Sequence, residues 1–133
     1  MDTNLESLIV SGKDIDRGLV GMLLAPFVRL GRDDGSIRPQ AAWASLGAND
    51  RILVYLLARK AMRALDFPLD REEATPSEVS AATGVKRGTV APGVRKLLSE
   101  NVLAQKGRAY FVPNHALQGI RQRLQPFIEE GQK

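Results

Sequence analysis

Residues 75–113 constrain the fold of this chain more than any other stretch, because several sharp local signals follow one another there. Thr75-Pro76-Ser77-Glu78 matches the capping box, in which a threonine and a glutamate three residues later satisfy the free amides of a helix start. Gly84 then can adopt the positive φ that ends a helix in a sharp turn. The sequence therefore predicts a short helix followed by a tight turn.

A second helix is expected after this turn. Its apolar residues recur at helical spacing and would form the buried face: Val90, Val94, Leu97 and Leu98. Pro92 and Gly93 have poor helix propensity, so the helix must start near Gly88, which leaves Pro92 close to the first turn. We therefore predict a helix over residues 89–99 with its polar and basic residues outside.

Two short β-prone runs come next, at residues 102–105 and 109–112. They are joined by Lys106-Gly107-Arg108, and a glycine between two such runs favours a hairpin. The predicted hairpin therefore has a basic tip.

Helical patterns flank this unit on both sides. The most regular one begins at Asn49 or Asp50, either of which can cap free amides, and continues to Leu65. Residues 66–74 are acidic, contain Pro68 and are expected to form a surface connector. The other predicted elements are helices over residues 2–11, over 14–30 with a bend at Pro26, from Pro39 to Leu46 and after Asn114, and a turn at 32–36.

Basic residues are concentrated in the second half of the chain, although the net charge is only +4. Residues 1–74 contain ten Lys or Arg against eleven Asp or Glu, whereas residues 75–133 contain nine against four. Between residues 86 and 123, Glu100 is the one acid among eight basic residues. Such a cluster can attract phosphate by neutralising it and releasing counterions, and the alternative is a solvated basic face.

Residues 50–113 resemble the winged helix superfamily, in which a helix, a helix-turn-helix and a hairpin follow one another in many bacterial and archaeal transcription regulators. The likeness covers about half of the chain. It rests on Gly88-Thr89-Val90, then Val94, Leu97 and the pair Val102-Leu103, which are similar to the recognition helix and first wing strand of that group. The resemblance implies a mainly α, α+β fold: a winged helix-turn-helix with a two-stranded wing, flanked by N-terminal and C-terminal helices.

Three segments are predicted on this basis. Residues 1–48 would form an N-terminal helical extension, residues 49–113 a winged helix DNA-binding domain, and residues 114–133 a C-terminal helix. The resemblance implies that the helix over 89–99 enters the major groove of double-stranded DNA and that the wing at 106–108 touches the backbone or the minor groove.

The resemblance also implies roles for individual side chains. Arg95 and Lys96 are expected to contact phosphates or base edges, and Arg108 to anchor the wing. Arg87 and Thr89 would lie near the helix start, where free amides also favour phosphate, although Thr89 could equally serve as a plain helix cap. The predicted DNA-binding set is Lys86, Arg87, Thr89, Arg95, Lys96, Lys106 and Arg108.

Catalytic patterns are weak in this sequence. His115 is the one histidine and stands beside Asn114 at a predicted helix start, where a cap or surface role is more frequent than general-base chemistry. Asp33-Asp34 is typical of a turn, and no histidine or further carboxylate stands around it at ligand spacing. We therefore expect a protein that is not an enzyme and that carries neither a metal nor a cofactor.

The most apolar run, residues 18–30, is interrupted by Pro26 and is shorter than the roughly 20 residues that a bilayer span needs. The chain has no cysteine, and it opens without the basic-then-apolar pattern of a secretory signal. A cytoplasmic protein with no membrane partner is therefore expected.

Other interactions stay open at this point. A winged helix can serve as a protein-interaction adaptor in a larger nucleic-acid-processing complex, which predicts weak DNA binding and a stable protein partner. RNA binding is disfavoured because Tyr110 and Phe111 are the only aromatic residues of the basic region before Phe127. The apolar flanking helices either pair two chains into a homodimer, which would present two recognition helices to two half-sites, or wrap the core of one chain.

Overall fold

The computed structural model describes residues 16–131, so the helix expected over residues 2–11 lies outside the described part of the chain. Within that range the chain is mainly helical, with two small antiparallel hairpins, and its apolar side chains form one core. In chain order the elements are α1 (Arg17–Leu24), β1 (Val28–Leu30), β2 (Ile37–Pro39), a 3₁₀ helix (Ala41–Ser45), α2 (Ala48–Ala64), α3 (Pro76–Thr83), α4 (Arg87–Ser99), β3 (Ala104–Lys106), β4 (Ala109–Phe111), a 3₁₀ turn (Asn114–Ala116) and α5 (Leu117–Gly131).

The helix expected over residues 14–30 is wrong beyond Leu24. α1 begins after Asp16, whose carboxylate accepts a hydrogen bond from the Leu19 amide at 3.0 Å. The chain then forms β1, which pairs antiparallel with β2 across the predicted turn. Pro26 has no amide proton with which to continue a helix, and a short apolar run fits a strand as well as a helix. The N-terminal segment therefore contains a hairpin besides its helix.

The brief helix expected from Pro39 to Leu46 is present only as the 3₁₀ helix Ala41–Ser45. Pro39 lies in β2, where it pairs with Val28, so it does not open the helix as predicted. Gln40 stands at the N-cap position instead.

α2 is the central element of the core. Residues 52–60 are buried without interruption. The helix predicted to run from Asn49 or Asp50 to Leu65 is confirmed, but the predicted cap is wrong: Gly47 occupies the N-cap position and makes no side-chain hydrogen bond there. Asp50 lies in the first turn, where its carboxylate binds an arginine of α5.

Both α2 and α4 end with a non-glycine residue in the left-handed region, Asp66 at φ 59° and Asn101 at φ 63°. The amide after each of these residues returns to a helix carbonyl, from Phe67 to Met62 at 2.9 Å and from Val102 to Leu97 at 3.2 Å. This is the Schellman arrangement, which satisfies carbonyls that a helix end would otherwise leave free. Phe67 and Val102 are thereby directed into apolar contacts and are buried.

The capping box and the glycine turn predicted at residues 75–84 are confirmed. The Thr75 hydroxyl accepts from the Glu78 amide at 3.3 Å, and the Glu78 carboxylate accepts from the Thr75 amide at 2.9 Å. Gly84 has φ 79°, and the chain turns there toward α4. α4 starts at Arg87, slightly before the predicted start, and retains Pro92 in its interior.

The predicted hairpin forms from β3 and β4, with Lys106 paired to Ala109 across the two-residue turn Gly107-Arg108. Gly107 has φ 63°, and a positive φ at the first central position suits a turn that matches the twist of its strands. The first strand is shorter than expected, because Val102 and Leu103 fill the core before the strand begins.

A third segment joins this hairpin to the helix-turn-helix. Ala74, the residue before the capping box, donates its amide to the Tyr110 carbonyl at 2.9 Å and accepts from the Tyr110 amide at 2.8 Å. These two hydrogen bonds fix the hairpin beside the start of α3.

Apolar residues of the flanking helices are buried in the same core. Leu23 of α1 and Ile120 and Leu124 of α5 are fully buried, and α1 packs against both α2 and α5. These buried residues of α1 and α5 therefore pack within one chain. The segment boundaries at residues 48 and 113 stay predictions.

The described helices are short relative to a bilayer. α2 has 17 residues and includes Asp50, Arg51, Arg59, Lys60 and Arg63. No helix within residues 16–131 has both the length and the apolar character to cross a membrane.

Candidate nucleic-acid interface

α4 has one face against α2 and one face in solvent. Its buried residues are Val90, Gly93, Val94 and Leu97. Three of the four residues predicted for the buried face are among them, whereas Leu98 is only partly buried and Gly93 was not predicted. Gly93 lies so close to α2 that a β-carbon there would come within 2.6 Å of the Asn49 Oδ1 and 3.0 Å of the Ile52 Cδ1. The glycine that weakens the helix signal in the sequence is therefore what allows α4 to approach α2.

The opposite face of α4 carries the predicted phosphate contacts. Lys86, Arg87, Thr89, Arg95 and Lys96 are all exposed. Within the described part of the chain, the four basic members of this set have no carboxylate within 4.0 Å. Their charges are therefore available to an external anion.

The start of α4 has free backbone donors. Lys86 stands at the N-cap position, where its ammonium side chain has no acceptor atom, so the first amides of α4 receive no hydrogen bond from the N-cap side chain. Thr89 lies inside the first turn, where its amide bonds to the Lys86 carbonyl at 2.8 Å, so it is not the helix cap. A helix start of this kind has a positive dipole end and free N–H groups, both of which favour anions.

The hairpin contributes the remaining two predicted residues. Lys106 and Arg108 are both exposed, with Arg108 in the turn itself and Lys106 at the end of β3 rather than in the turn. The Lys106 Nζ lies 3.9 Å from the Glu73 Oε2, but the Lys106 side chain is 78% exposed, so water screens this pair strongly. Arg108 has no carboxylate within 4.0 Å in the described part of the chain.

The one acid of the basic region, Glu100, is ion-paired with a residue of another element. Arg123 of α5 donates from Nη1 to the Glu100 Oε1 at 2.8 Å and from Nε to the Asp50 Oδ1 at 2.6 Å. Burial of the guanidinium opposes its charge, but the hydrogen bonds to Asp50 and Glu100 outweigh this and raise the pKa of Arg123. Glu100 therefore already has a cationic partner outside α4, and Arg123 is not a free phosphate ligand.

Two basic residues of α2 also have structural partners. Arg59 and Lys60 are each 7% exposed. The Arg59 guanidinium donates to the carbonyls of Glu72 at 2.8 Å, Arg71 at 2.9 Å and Glu73 at 3.2 Å, and so holds the acidic connector against α2. Neither cation is accessible to DNA.

The Lys60 Nζ lies 3.6 Å from the Glu72 Oε2 beneath the same connector. Burial raises the pKa of Glu72, and the nearby Lys60 ammonium opposes that rise. The sequence pattern showed apolar and basic residues interleaved on this helix, but it contained no signal that the basic ones are buried.

The weak catalytic candidates have simple structural environments. The Asp34 carboxylate accepts from the Ser36 amide at 2.9 Å within the hairpin turn, and this hydrogen bond lowers the pKa of Asp34. His115 is exposed in the 3₁₀ turn before α5. Among the described residues, no group of three or more His, Cys, Asp or Glu side chains is arranged to hold a metal ion.

Comparisons with protein family models, curated proteins and solved structures found no match to this chain. The candidate interface is therefore defined by the chain's own residues: an exposed basic face of α4, the amides at the start of that helix, and the exposed basic residues of the β3–β4 hairpin.

Proposed function

We propose that this protein binds double-stranded DNA as a small winged helix regulator, with α4 in the major groove and the β3–β4 turn on the sugar–phosphate backbone. The observation that carries the proposal is the exposure of every predicted DNA-binding residue, together with the absence of ion-pair partners for most of them within residues 16–131. The order of elements, α2, α3, α4 and then a hairpin, matches the order that the winged helix resemblance implies.

Electrostatics support this choice of ligand. Exposed cations that pair with carboxylates contribute little to anion binding, whereas unpaired ones release condensed counterions when they meet phosphates. Glu100 is bound by Arg123, and Glu78 is bound by its helix cap and by Arg71, whose Nη2 lies 2.6 Å from the Glu78 Oε1. Glu73 lies 3.9 Å from Lys106, in a pair that water screens strongly. A polyanion would thus meet little competition on this surface.

The shape of α4 also supports a groove contact. An α-helix fits the major groove of B-DNA, and side chains three or four positions apart project from the same side of a helix. Gly88, Pro92 and Arg95 are exposed along one such line, and the first two are small, so the helix backbone can approach the duplex closely. Arg95 and Lys96 would then reach phosphates or base edges.

The decisive experiment measures binding to a labelled duplex of random sequence at a series of salt concentrations, with fluorescence anisotropy as the readout. If the six basic residues of the interface each neutralise a phosphate, the slope of log K against log salt approaches about −5. The Arg95→Ala, Lys96→Ala double variant should weaken binding and make the slope less steep by about two.

A charge-matched control separates this effect from a loss of net charge. Arg38 in β2 and Arg121 in α5 are both exposed and lie on other elements, so Arg38→Ala with Arg121→Ala removes the same charge. This control should retain a slope close to that of the wild-type protein. Equal slopes for the wild type and the Arg95, Lys96 variant, with both proteins folded, would rule out α4 as the contact surface.

The hairpin is tested in the same assay. The Lys106→Ala, Arg108→Ala variant should lower the affinity for all duplexes to a similar extent, because backbone contacts carry no sequence information. A change in sequence preference instead would assign the turn a role in base recognition.

The homodimer remains a prediction. Two paired chains would present two copies of α4 to two half-sites on the DNA. Large apolar side chains that stay exposed within residues 16–131 are Met22 at 42% and Leu65 at 41%. Sedimentation equilibrium at micromolar concentration measures the association directly, and a single monomeric species would reject the dimer.

A further inference from the structure

A second feature, remote from the basic face of α4, is a cavity of about 290 Å³ between α1, β1 and the C-terminal end of α2. Its lining is almost entirely apolar: Leu24 and Val28 are buried at its floor, and Leu65 is exposed at its rim. Pockets that bind small molecules are concave, mainly apolar and about 300 Å³ or larger. The cavity is therefore close to the lower end of the range for a small ligand.

Small residues create this space. Gly21 and Ala25 on the α1 side and Ala61 and Ala64 on the α2 side all line the cavity. Gly21 stands in the middle of an eight-residue helix, where glycine is unfavourable, and a β-carbon built there would have no atom within 4 Å. No side chain of residues 16–131 thus fills the space beside Gly21.

Two arginines stand at the edge of the apolar surface. The Arg17 Nη2 donates to the Ala64 carbonyl at 2.7 Å, and the Arg29 Nη1 donates to the carbonyls of Ala25 and Val28. Each guanidinium is thereby fixed beside a residue that lines the cavity, and each keeps further N–H groups free, because arginine has five.

The charge at this edge is positive. Within residues 16–131, neither guanidinium has a carboxylate within 4.0 Å. Residues at the C-terminal ends of α1 and α2 also line the cavity, but each helix end carries only about half a negative charge, which two guanidinium groups outweigh. Asp16 and Asp66, the acids closest in sequence to the lining residues, do not line the cavity.

We propose that this cavity binds a small apolar carboxylic acid, with the hydrocarbon body between α1 and α2 and the carboxylate on one of the two lining guanidinium groups, Arg17 or Arg29. The apolar lining favours an alkyl or aryl body, and guanidinium groups pair with carboxylates through two parallel hydrogen bonds. The proposal is independent of DNA binding, because it uses none of the residues on α4 or on the β3–β4 hairpin.

Isothermal titration calorimetry with sodium octanoate tests the proposal, and octanamide serves as the uncharged analogue. Octanoate should bind at one saturable site and more tightly than octanamide. Arg17→Gln with Arg29→Gln should weaken octanoate binding about tenfold, as expected for the loss of charge-assisted hydrogen bonds, and leave octanamide binding unchanged. Equal binding of the two compounds by the wild type would overturn the assignment of the arginines.

The location of the site is tested by filling the cavity. Gly21→Leu places a side chain into the open space and should abolish octanoate binding while raising the melting temperature. Gly119→Leu is the matched control, since Gly119 is an exposed glycine of α5 that also has open space around it and does not line the cavity.

Unchanged octanoate binding by a folded Gly21→Leu variant would place the site elsewhere. If that variant fails to fold, the arginine double variant still decides the proposal. Sedimentation of the wild type and of Gly21→Leu tests whether a second copy of the chain covers the cavity instead. A wild-type dimer that becomes monomeric on Gly21→Leu would show such a contact, and the proposal would then be wrong.

Discussion

Arg123 and Asp50 are joined by a 2.6 Å hydrogen bond between Nε and Oδ1, although they lie 73 residues apart in the sequence. The bond connects the last helix, α5, to the first turn of the central helix, α2. The same guanidinium also binds Glu100, which is the C-cap residue of α4. One arginine therefore ties together three helices and pairs with two carboxylates near the C-terminal end of α4.

Arg123→Met should lower the free energy of unfolding by about 1–3 kcal/mol, because two charge-assisted hydrogen bonds are lost and partly buried Asp50 is left without its partner. Urea denaturation followed by circular dichroism measures the change. Arg121→Met is the control, since Arg121 is exposed on the same helix, and it should stay within about 0.5 kcal/mol of the wild type. Equal effects of the two substitutions would contradict a structural role for Arg123.

Gly93 sets the distance between α4 and α2. Gly93→Leu should lower the free energy of unfolding by about 1–3 kcal/mol, because the new side chain would overlap Asn49 and Ile52 and force the helices apart. Gly119→Leu, at an exposed helical glycine with open space around it, should instead raise stability by up to about 1 kcal/mol through helix propensity. Thermal unfolding of the two variants compares them directly, and a stabilised Gly93 variant would show that the contact is not tight.

Arg59 holds the connector between α2 and α3. Arg59→Met should cost about 3 kcal/mol of stability, because three backbone carbonyls of the connector lose their donor in a buried setting. Arg63→Met removes one exposed hydrogen bond, to the Leu69 carbonyl, and should cost less than about 1 kcal/mol. Amide hydrogen exchange at residues 71–73 should be faster than in the wild type in Arg59→Met but not in Arg63→Met. The same exchange rates at these residues in both variants would contradict the role of Arg59 in holding the connector.

The capping box makes stability depend on pH. The pKa of Glu78 lies below its ordinary value of 4.5. The main cause is the hydrogen bond from the Thr75 backbone amide, and the charge of Arg71 acts in the same direction. A carboxyl with a depressed folded pKa contributes stability that is fully present above pH 4.5 and is lost as the pH falls through the folded pKa. The free energy of unfolding of Glu78→Gln should therefore fall less than that of the wild type as the pH drops below 4.5.

The comparison of wild type and Glu78→Gln is needed because Glu72 acts in the opposite direction. Burial raises the pKa of Glu72, so its contribution is present at low pH and is lost as the pH rises through its folded pKa. Urea midpoints measured from pH 3 to pH 7 in both proteins isolate the Glu78 contribution. Parallel curves would show that the capping carboxylate carries no pH-dependent stability.

Much of the residue 75–111 region could be predicted because its signals are local. The Thr75–Glu78 box, Gly84 and the Gly107 turn each depend on the backbone preferences of a few adjacent residues, and all three are present as expected. The 28–39 hairpin could not be predicted in this way, because its apolar strand fits a helical pattern equally well and only the pairing with β2 distinguishes the two. The role of Gly93 could not be predicted either, because it depends on a close contact with α2, which helix propensity does not describe.

The sequence by itself determined the order and approximate positions of α3, α4 and the β3–β4 hairpin, and it gave that half of the chain its excess of positive charge. Only the tertiary structure decided which cations are available to a ligand. Arg59, Lys60 and Arg123 are bound to distant carbonyls and carboxylates, whereas Arg95, Lys96 and Arg108 stay exposed. The physical reason is that a charge is neutralised by whatever lies within a few ångströms of it, and in a folded chain those neighbours come from residues far away in the sequence.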